Sequence, residues 1–381
     1  NFKNLDVEAG SHLVVVGENK VGKTNFLHAL RLILDPSLSD SARRLRLEDF
    51  WDGAKPLEAD TRITISVDLT EFEENLNPLD PTHNTIPCKV LGYGEISTVF
   101  EIEMEMFRGL ALKRMSIFEN LPEFEHYLKS YVEYNRLLEE DLGINLPGHG
   151  YALIEKSNSR PIFYIIQEKV LANGIGSNAI HLLSPEESLE LFNRTLEESN
   201  KVWEFNRQGG EIQVAIDGQI SNWALSKFDS NNPRLDDDAA LLYLDTSTPI
   251  FQINGEDQLD PELFLRSGPS FMAWIIRRFF LDDVMARYFD PRQVVIDLIA
   301  NLYKEGTPHL VPDMITAANT FVSDKLGYLD LEPLNEKEIR AYYREDALIW
   351  TLYAGMRRVD RTLHQISGRE YQYILPGKVK R

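Results

Sequence analysis

The sequence predicts an α+β fold. Stretches in which apolar and polar residues alternate crowd between about residues 63 and 167, and from Ser184 onward apolar residues recur mostly at helical spacing. A strand, a glycine loop and a helix at the N-terminus place a short α/β segment ahead of both.

The elements follow in order. His12 to Val16 is a short apolar run ending in a glycine loop, after which Phe26, Leu30 and Ile33 share one helical face. Ile63, Ile65, Val67 and Leu69 alternate with Thr64, Ser66 and Asp68, the pattern of a half-buried strand. Glu71 to Thr85, with Asn75, Pro78, Pro81 and Asn84, reads as a linker, which puts a domain boundary near residue 75. Lys89–Tyr93, Thr98–Met106 and Leu110–Met115 then read as an antiparallel meander, and Glu123–Glu140 as a long helix. Two more strands, Tyr151–Glu155 and Ile162–Gln167, flank a Ser-Asn-Ser-Arg turn. Ser184-Pro-Glu-Glu is a helix start, because the Ser hydroxyl caps the first turn and proline suits a position with no N–H to satisfy. Short strand patterns at Glu211–Ile216 and Ala240–Leu244 interrupt the helices, and from Ser270 helix follows helix, with Val294, Val295, Leu298 and Leu302 on one apolar face.

The 381 residues suffice for two or three cores. The net charge is -20, and the acid excess is general: residues 1–75 carry 9 Lys and Arg against 14 Asp and Glu, the rest 31 against 46. Such a surface repels phosphate backbones, which argues against nucleic acid and anionic membranes as partners, and any phosphate must be held by a local site. One cysteine, Cys88, excludes an internal disulfide or a cysteine zinc cluster and fits a reducing, cytoplasmic setting. The most apolar stretch, Phe271–Leu281, is broken by Arg277 and Arg278 and is too short to span a membrane. The eight histidines lack metal-binding spacing, and Asp297 and Asp330 read as single acids without a partner. The chain opens at Asn1 without a Met, as expected of a fragment.

Two constellations carry chemistry. Gly17 to Thr24 reads GENKVGKT, a full G-x-x-x-x-G-K-[ST] match between a strand and a helix. In that loop Gly17, Asn19 and Gly22 belong to the turn whose N–H groups cradle phosphates, Lys23 reaches the terminal phosphates and Thr24 holds magnesium. NFKNLDV, GENKVGKTNFLHALRLILDP, LEDFW and ITISVDL resemble the start of the OLD-type ATPases of the ABC superfamily, over roughly the first 75 residues. The resemblance implies a signature motif and a strand ending in Asp-Glu. The nearest candidates are Gln208-Gly209-Gly210 and Leu241–Asp245, where Thr246 stands in place of Glu.

The second constellation begins with LGYGEISTVF, which sets Gly92 and Gly94 in a strand-turn-strand, and continues with Lys113 on the next strand and Glu133 on the following helix. YIIQEKV (Tyr164–Val170) contains Glu168. Asp217 and Asn222 in AIDGQISNWAL have D-x-x-x-x-N spacing, and Asp245 ends an apolar run in LLYLDTST. Taken in order, these resemble the protein-kinase-like superfamily, in its atypical or small-molecule branches, over about 300 residues. The resemblance implies a two-lobed fold, with a strand-rich lobe at residues 76–170 and a helical lobe at 171–381, behind the P-loop segment of residues 1–75. It implies that the glycine hairpin covers ATP, Lys113 contacts its phosphates, Glu133 orients Lys113 and the Glu168 segment is the hinge. Asn222 and Asp245 would hold magnesium, and Asp217 would be the base. The sequence departs from the pattern where His-Arg is replaced by Ala215-Ile216 and Phe-Gly by Thr246-Ser247, and where no Ala-Pro-Glu follows.

The expected function is magnesium- and ATP-dependent phosphoryl transfer to an acceptor that the sequence does not specify, by a chain free to form oligomers. Two other readings stay open: a non-catalytic nucleotide-binding module and a P-loop ATPase of a defence nuclease.

Overall fold

The computed structural model describes residues 70–375, apart from 78–79, 82, 95, 105–106, 156–159, 261, 266–280, 368–370 and 372. The strand, loop and helix read before residue 70, with Gly17, Asn19, Gly22, Lys23 and Thr24, lie outside the described residues, as does the Phe271–Phe280 stretch.

Thr70–Asn75 forms a short helix, α1, where the sequence reads as a linker. Then come β1 (Cys88–Tyr93), β2 (Ser97–Ile102), β3 (Leu110–Met115), α2 (Leu121–Arg136, continued by a π turn to Asp141), β4 (His149–Ile154) and β5 (Ile162–Glu168). The strands form one antiparallel sheet in the order β1-β2-β3-β5-β4. Period-two alternation gives this sheet two buried faces. Leu110 and Leu112 of β3 join Phe100, Ile102, Tyr164 and Ile166 on the outer face, against Phe72 and Leu76 from α1 and its end. Met115 points the other way, with Phe163 and Ile165, toward Phe124, Tyr127 and Tyr131 of α2. Asn120 starts α2 by accepting from the Glu123 N–H, with proline in the first turn. Phe163 sits among the rings of Phe124, Tyr127 and Tyr131 at centroid distances of 5.2, 5.7 and 5.8 Å. Each such buried ring contributes on the order of 2–3 kcal/mol.

Alternation also sends Arg114 into the outer face, where α1 meets it with Glu73. The guanidinium donates to both carboxylate oxygens at 2.9 and 2.7 Å, and the Tyr164 hydroxyl donates to the same carboxylate. Both charges are buried. Removing one strands the other, so Glu73→Gln is expected to lower the stability of the chain by about 3 kcal/mol in urea unfolding. Replacing both partners, Glu73→Leu with Arg114→Met, should cost less than the single change.

The remaining elements are α3 (Gly176–Ala179), α4 (Pro185–Arg207), β6 (Ile212–Val214), β7 (Trp223–Leu225), β8 (Leu241–Tyr243), β9 (Phe251–Ile253), β10 (Glu256–Asp257), α5 (Glu262–Leu265), α6 (Leu281–Phe289), α7 (Pro291–Lys304), α8 (Val311–Lys325) and α9 (Glu336–Ser367). The capping box is present at the start of α4: the Glu187 N–H donates to Ser184 Oγ and the Ser184 N–H to the Glu187 carboxylate. Asp290 caps α7, whose Val294, Val295, Leu298 and Leu302 enter a helical core with Leu191, Leu196, Trp203 and Val311. Two small antiparallel sheets, β10-β9-β6 and β7-β8, lie in this part of the chain, and β6 and β7 flank the Asp217–Asn222 loop. No helix among the described residues is long and apolar enough to cross a membrane.

Candidate functional site

The loop from Ala215 to Asn222 is fixed at both ends by backbone pairing. Val214 pairs with Phe251, and the Ala215 N–H donates to the Ile250 carbonyl at 2.9 Å. Asn206 of α4 bonds Val214 with both ends of its side-chain amide. At the other end Trp223 pairs with Tyr243, and the Leu244 N–H donates to the Asn222 carbonyl at 2.8 Å. Asp217 and Asn222 therefore stand on one strand entry and Asp245 on the neighbouring strand exit, which brings residues distant in sequence to one end of a two-stranded ribbon.

Within the loop, Ile220–Asn222 makes a single 3-10 turn. Asp217 Oδ1 accepts the Gln219 N–H at 3.2 Å, and Asn222 Nδ2 donates to the Asp217 carbonyl at 3.2 Å. The loop is pressed from two sides. A Cβ on Gly176 of α3 would lie 2.3 Å from the Ile220 carbonyl oxygen, so this position needs glycine, and one on Gly218 would lie 2.8 Å from Val294 Cγ1 of α7 and force that side chain to shift.

Lys113 reaches this ribbon from β3. Its ammonium meets Asp245 Oδ1 at 2.7 Å and Ser247 Oγ at 2.6 Å, with side chains 15% and 23% exposed for Lys113 and Asp245. Gln167 of β5 donates to the Leu244 carbonyl at 3.2 Å, a second tie between the large sheet and the Asp245 segment. Glu168 ends β5 beside the crossing into the helical part, with its N–H on the Gly148 carbonyl at 2.7 Å and its side chain packed against Gly148. Gly92 sits at a bulge in β1, and the Gly94 N–H closes the hairpin on the Ser97 carbonyl at 2.9 Å. The hairpin exposes Leu91 and Tyr93 beside the strands that lead to Lys113.

Glu133 does not join this group. Its carboxylate pairs with Arg136 at 2.8 Å and is 39% exposed, because Tyr127, Tyr131 and Tyr134 fill the face of α2 that looks inward. No glutamate of α2 meets Lys113 in a described bond, and the lysine is held instead by Asp245 and Ser247.

Three acids share the site. Burial pushes Asp217 well above the ordinary carboxylate value, and the charges of Asp297 and Asp245 raise it further. Burial also acts on Asp245, but the Lys113 ammonium outweighs it, with the Ser247 hydroxyl and N–H, and holds this carboxylate below its usual value. Asp297, on α7, is pushed up to about 6 by burial and by Asp346, against a hydrogen bond from Gln219. Asp297 and Lys304 grip Gln219 between them: the ammonium approaches Gln219 Oε1 at 3.5 Å and Asn301 Oδ1 at 3.3 Å. Sequence reasoning missed Asp297, Lys304 and Ser247. The available signal was an acid inside VVIDLIANL, where an apolar face leaves a carboxylate poorly solvated.

An acid held near 6 destabilises the fold when ionised. The contribution of Asp297 to stability is fully present below about pH 4 and is lost as pH rises through about 6. Asp297→Asn is therefore expected to stabilise the chain at pH 8 by on the order of 1 kcal/mol and to change little at pH 4, read by urea unfolding at the two pH values.

The donor set suits a nucleotide-bound magnesium ion. Among the described residues no group of three or more His, Cys, Asp or Glu is placed to hold a metal alone. Magnesium bound with phosphates needs only one or two protein oxygens, the phosphates and water supplying the rest. Asp245 has a carboxylate that could serve, and Asn222, whose amide N–H is turned to the Asp217 carbonyl, could offer its Oδ1. Asp297 and Asp245 both act on the buried Asp217 carboxylate, and a cation there would offset that repulsion.

No curated protein matches the chain. A solved structure described as "WaaP in complex with acyl carrier protein" is similar at 13% identity over 68% of this chain and 99% of that one, with a TM-score of 0.29. Residues 78–361 match the model described as "Family of unknown function (DUF6206)", and the chain belongs to that family.

Proposed function

We propose that the chain is a magnesium- and ATP-dependent phosphotransferase of kinase-like, two-lobed build, with a strand-rich lobe at residues 76–170 and a helical lobe at 171–381. The observation that carries the reading is the meeting of Lys113 with Asp245 at 2.7 Å across 132 positions, beside a loop that holds Asp217 and Asn222 by a 3-10 turn. A lysine from the central sheet, a magnesium-type oxygen pair and a carboxylate with raised proton affinity are the parts phosphoryl transfer needs.

In this reading Asn222 and Asp245 hold the magnesium ion, which would neutralise charge on the phosphates. Lys113, now on Asp245, would contact a phosphate oxygen when the nucleotide is bound. Asp217 accepts the proton of the acceptor hydroxyl at its carboxylate, and the acids around it raise its basicity. The Gly92–Gly94 hairpin covers the phosphates and the backbone near Glu168 borders the base. Catalysis comes from positioning and charge. Glu133 has no part in it.

The P-loop at Gly17–Thr24 is a second candidate nucleotide site, and a comparison of lysines separates the two. ATP binding measured by calorimetry is expected to weaken about 10-fold or more in Lys113→Ala. Loss in Lys23→Ala with none in Lys113→Ala would contradict the kinase-like reading and favour the ATPase one. Tight ATP binding with no transfer to any acceptor or water would favour a binding module.

A further inference from the structure

The inward face of α2 carries hydroxyls at a spacing that matches the site segments beneath it. Tyr127 donates to the Ser247 carbonyl at 2.8 Å, Ser130 to the Gln258 carbonyl at 2.8 Å, and Tyr134 to the Ala215 carbonyl at 2.7 Å. Positions 127, 130 and 134 lie three and four residues apart, so they form one stripe along the helix. The three carbonyls belong to different segments: one two residues past Asp245, one directly after β10 and one two residues before Asp217. Tyr127 and Tyr134 are at most 2% exposed, and both rings are held by packing, Tyr127 against Phe118 and Phe163 and Tyr134 against Phe251.

We infer that Tyr127 and Tyr134 are positioning residues that hold the Asp245 and Asp217 segments in register through neutral hydroxyl-to-carbonyl bonds from α2. The inference rests on the function proposed above. Each phenol reaches the backbone of a segment that bears a reacting or metal-holding carboxylate, and neither touches the carboxylate itself. These bonds tie α2 to the site while its Glu133 carboxylate is paired with Arg136 at 2.8 Å and not with Lys113. The tie has a physical consequence. A link made of buried neutral bonds is insensitive to salt, and breaking it leaves a buried carbonyl without its donor, so α2 stays docked with or without nucleotide.

The test uses the full chain with Tyr127→Phe and Tyr134→Phe, each of which keeps the ring and removes one donor. Glu73→Gln, which breaks the buried pair with Arg114 on the outer face of the sheet, serves as a structural comparison. Two readouts are taken. With magnesium and ATP, each α2 variant is expected to lose about 10-fold in kcat with KM for ATP changed less than about 2-fold, whereas Glu73→Gln loses stability but keeps kcat. In amide hydrogen exchange without nucleotide, Tyr127→Phe should speed exchange at Asp245–Thr248 and leave Val214–Asp217 unchanged, and Tyr134→Phe should do the reverse. Exchange that rises uniformly, or in proportion to lost stability in all three variants, overturns the inference. The exchange pattern does not depend on turnover. A wild-type chain that transfers no phosphate while showing the segment-specific pattern refutes the proposed function and leaves the positioning role standing.

Discussion

Asp217→Asn is expected to reduce phosphoryl transfer about 10³-fold while ATP affinity stays within about 2-fold of the parent. The amide keeps the shape of the side chain and can still accept the Gln219 N–H that bonds Oδ1 at 3.2 Å, so the loop holds its turn. What disappears is the ability to take a proton. In the proposed mechanism the loss falls on kcat, because the substituted atom would meet the acceptor hydroxyl and makes no contact assigned to the nucleotide. Removing this charge also relieves Asp297 and Asp245 of a neighbour, so the variant should be at least as stable as the parent. An inactive, well-folded, ATP-binding chain is the signature. Transfer at the parent rate would mean that Asp217 is a structural acid, and the assigned chemistry would fail.

The second large effect is expected from Asp245→Asn. This carboxylate is both the counter-ion of Lys113 and one of two side chains assigned to magnesium. In the parent, magnesium should strengthen ATP binding, because it neutralises both the phosphates and the acids around Asp217. In the variant that strengthening should fall about 10²-fold or more. The loss is specific to the cation: binding of ATP without magnesium should change far less, because Lys113 is then released to the phosphates. Calorimetric titration of both chains with and without magnesium reads the difference. An unchanged magnesium dependence would place the cation elsewhere.

Local chemistry made much of this fold readable. The alternation in Ile162–Gln167 and Leu110–Met115 marks strands because side-chain direction has a period of two, and Ser184 with Glu187 marks a helix start because both groups act within one turn. Asp217 and Asn222 were legible for the same reason, since one short turn joins them. Partners chosen by tertiary packing were not. Glu71–Asn75 reads as part of a linker with Pro78 and Pro81, yet Phe72 and Glu73 find the sheet and Arg114 and become helical. Glu133 falls on a helix as expected, but one position away from the Tyr127-Tyr131-Tyr134 stripe that marks the buried face, and that stripe was present in the sequence. Asp297 reads as a solitary acid because its neighbours, Gln219 and Asp217, arrive from almost 80 residues upstream.

The most direct measurement is a crystal structure of the chain with magnesium and a non-hydrolysable ATP analogue. The expected result is one cation with Asn222 Oδ1 and an Asp245 oxygen among its ligands at about 2.0–2.2 Å, and the Lys113 ammonium on a phosphate oxygen. A nucleotide bound away from Lys113, or a cation that touches neither Asn222 nor Asp245, would contradict the assignment.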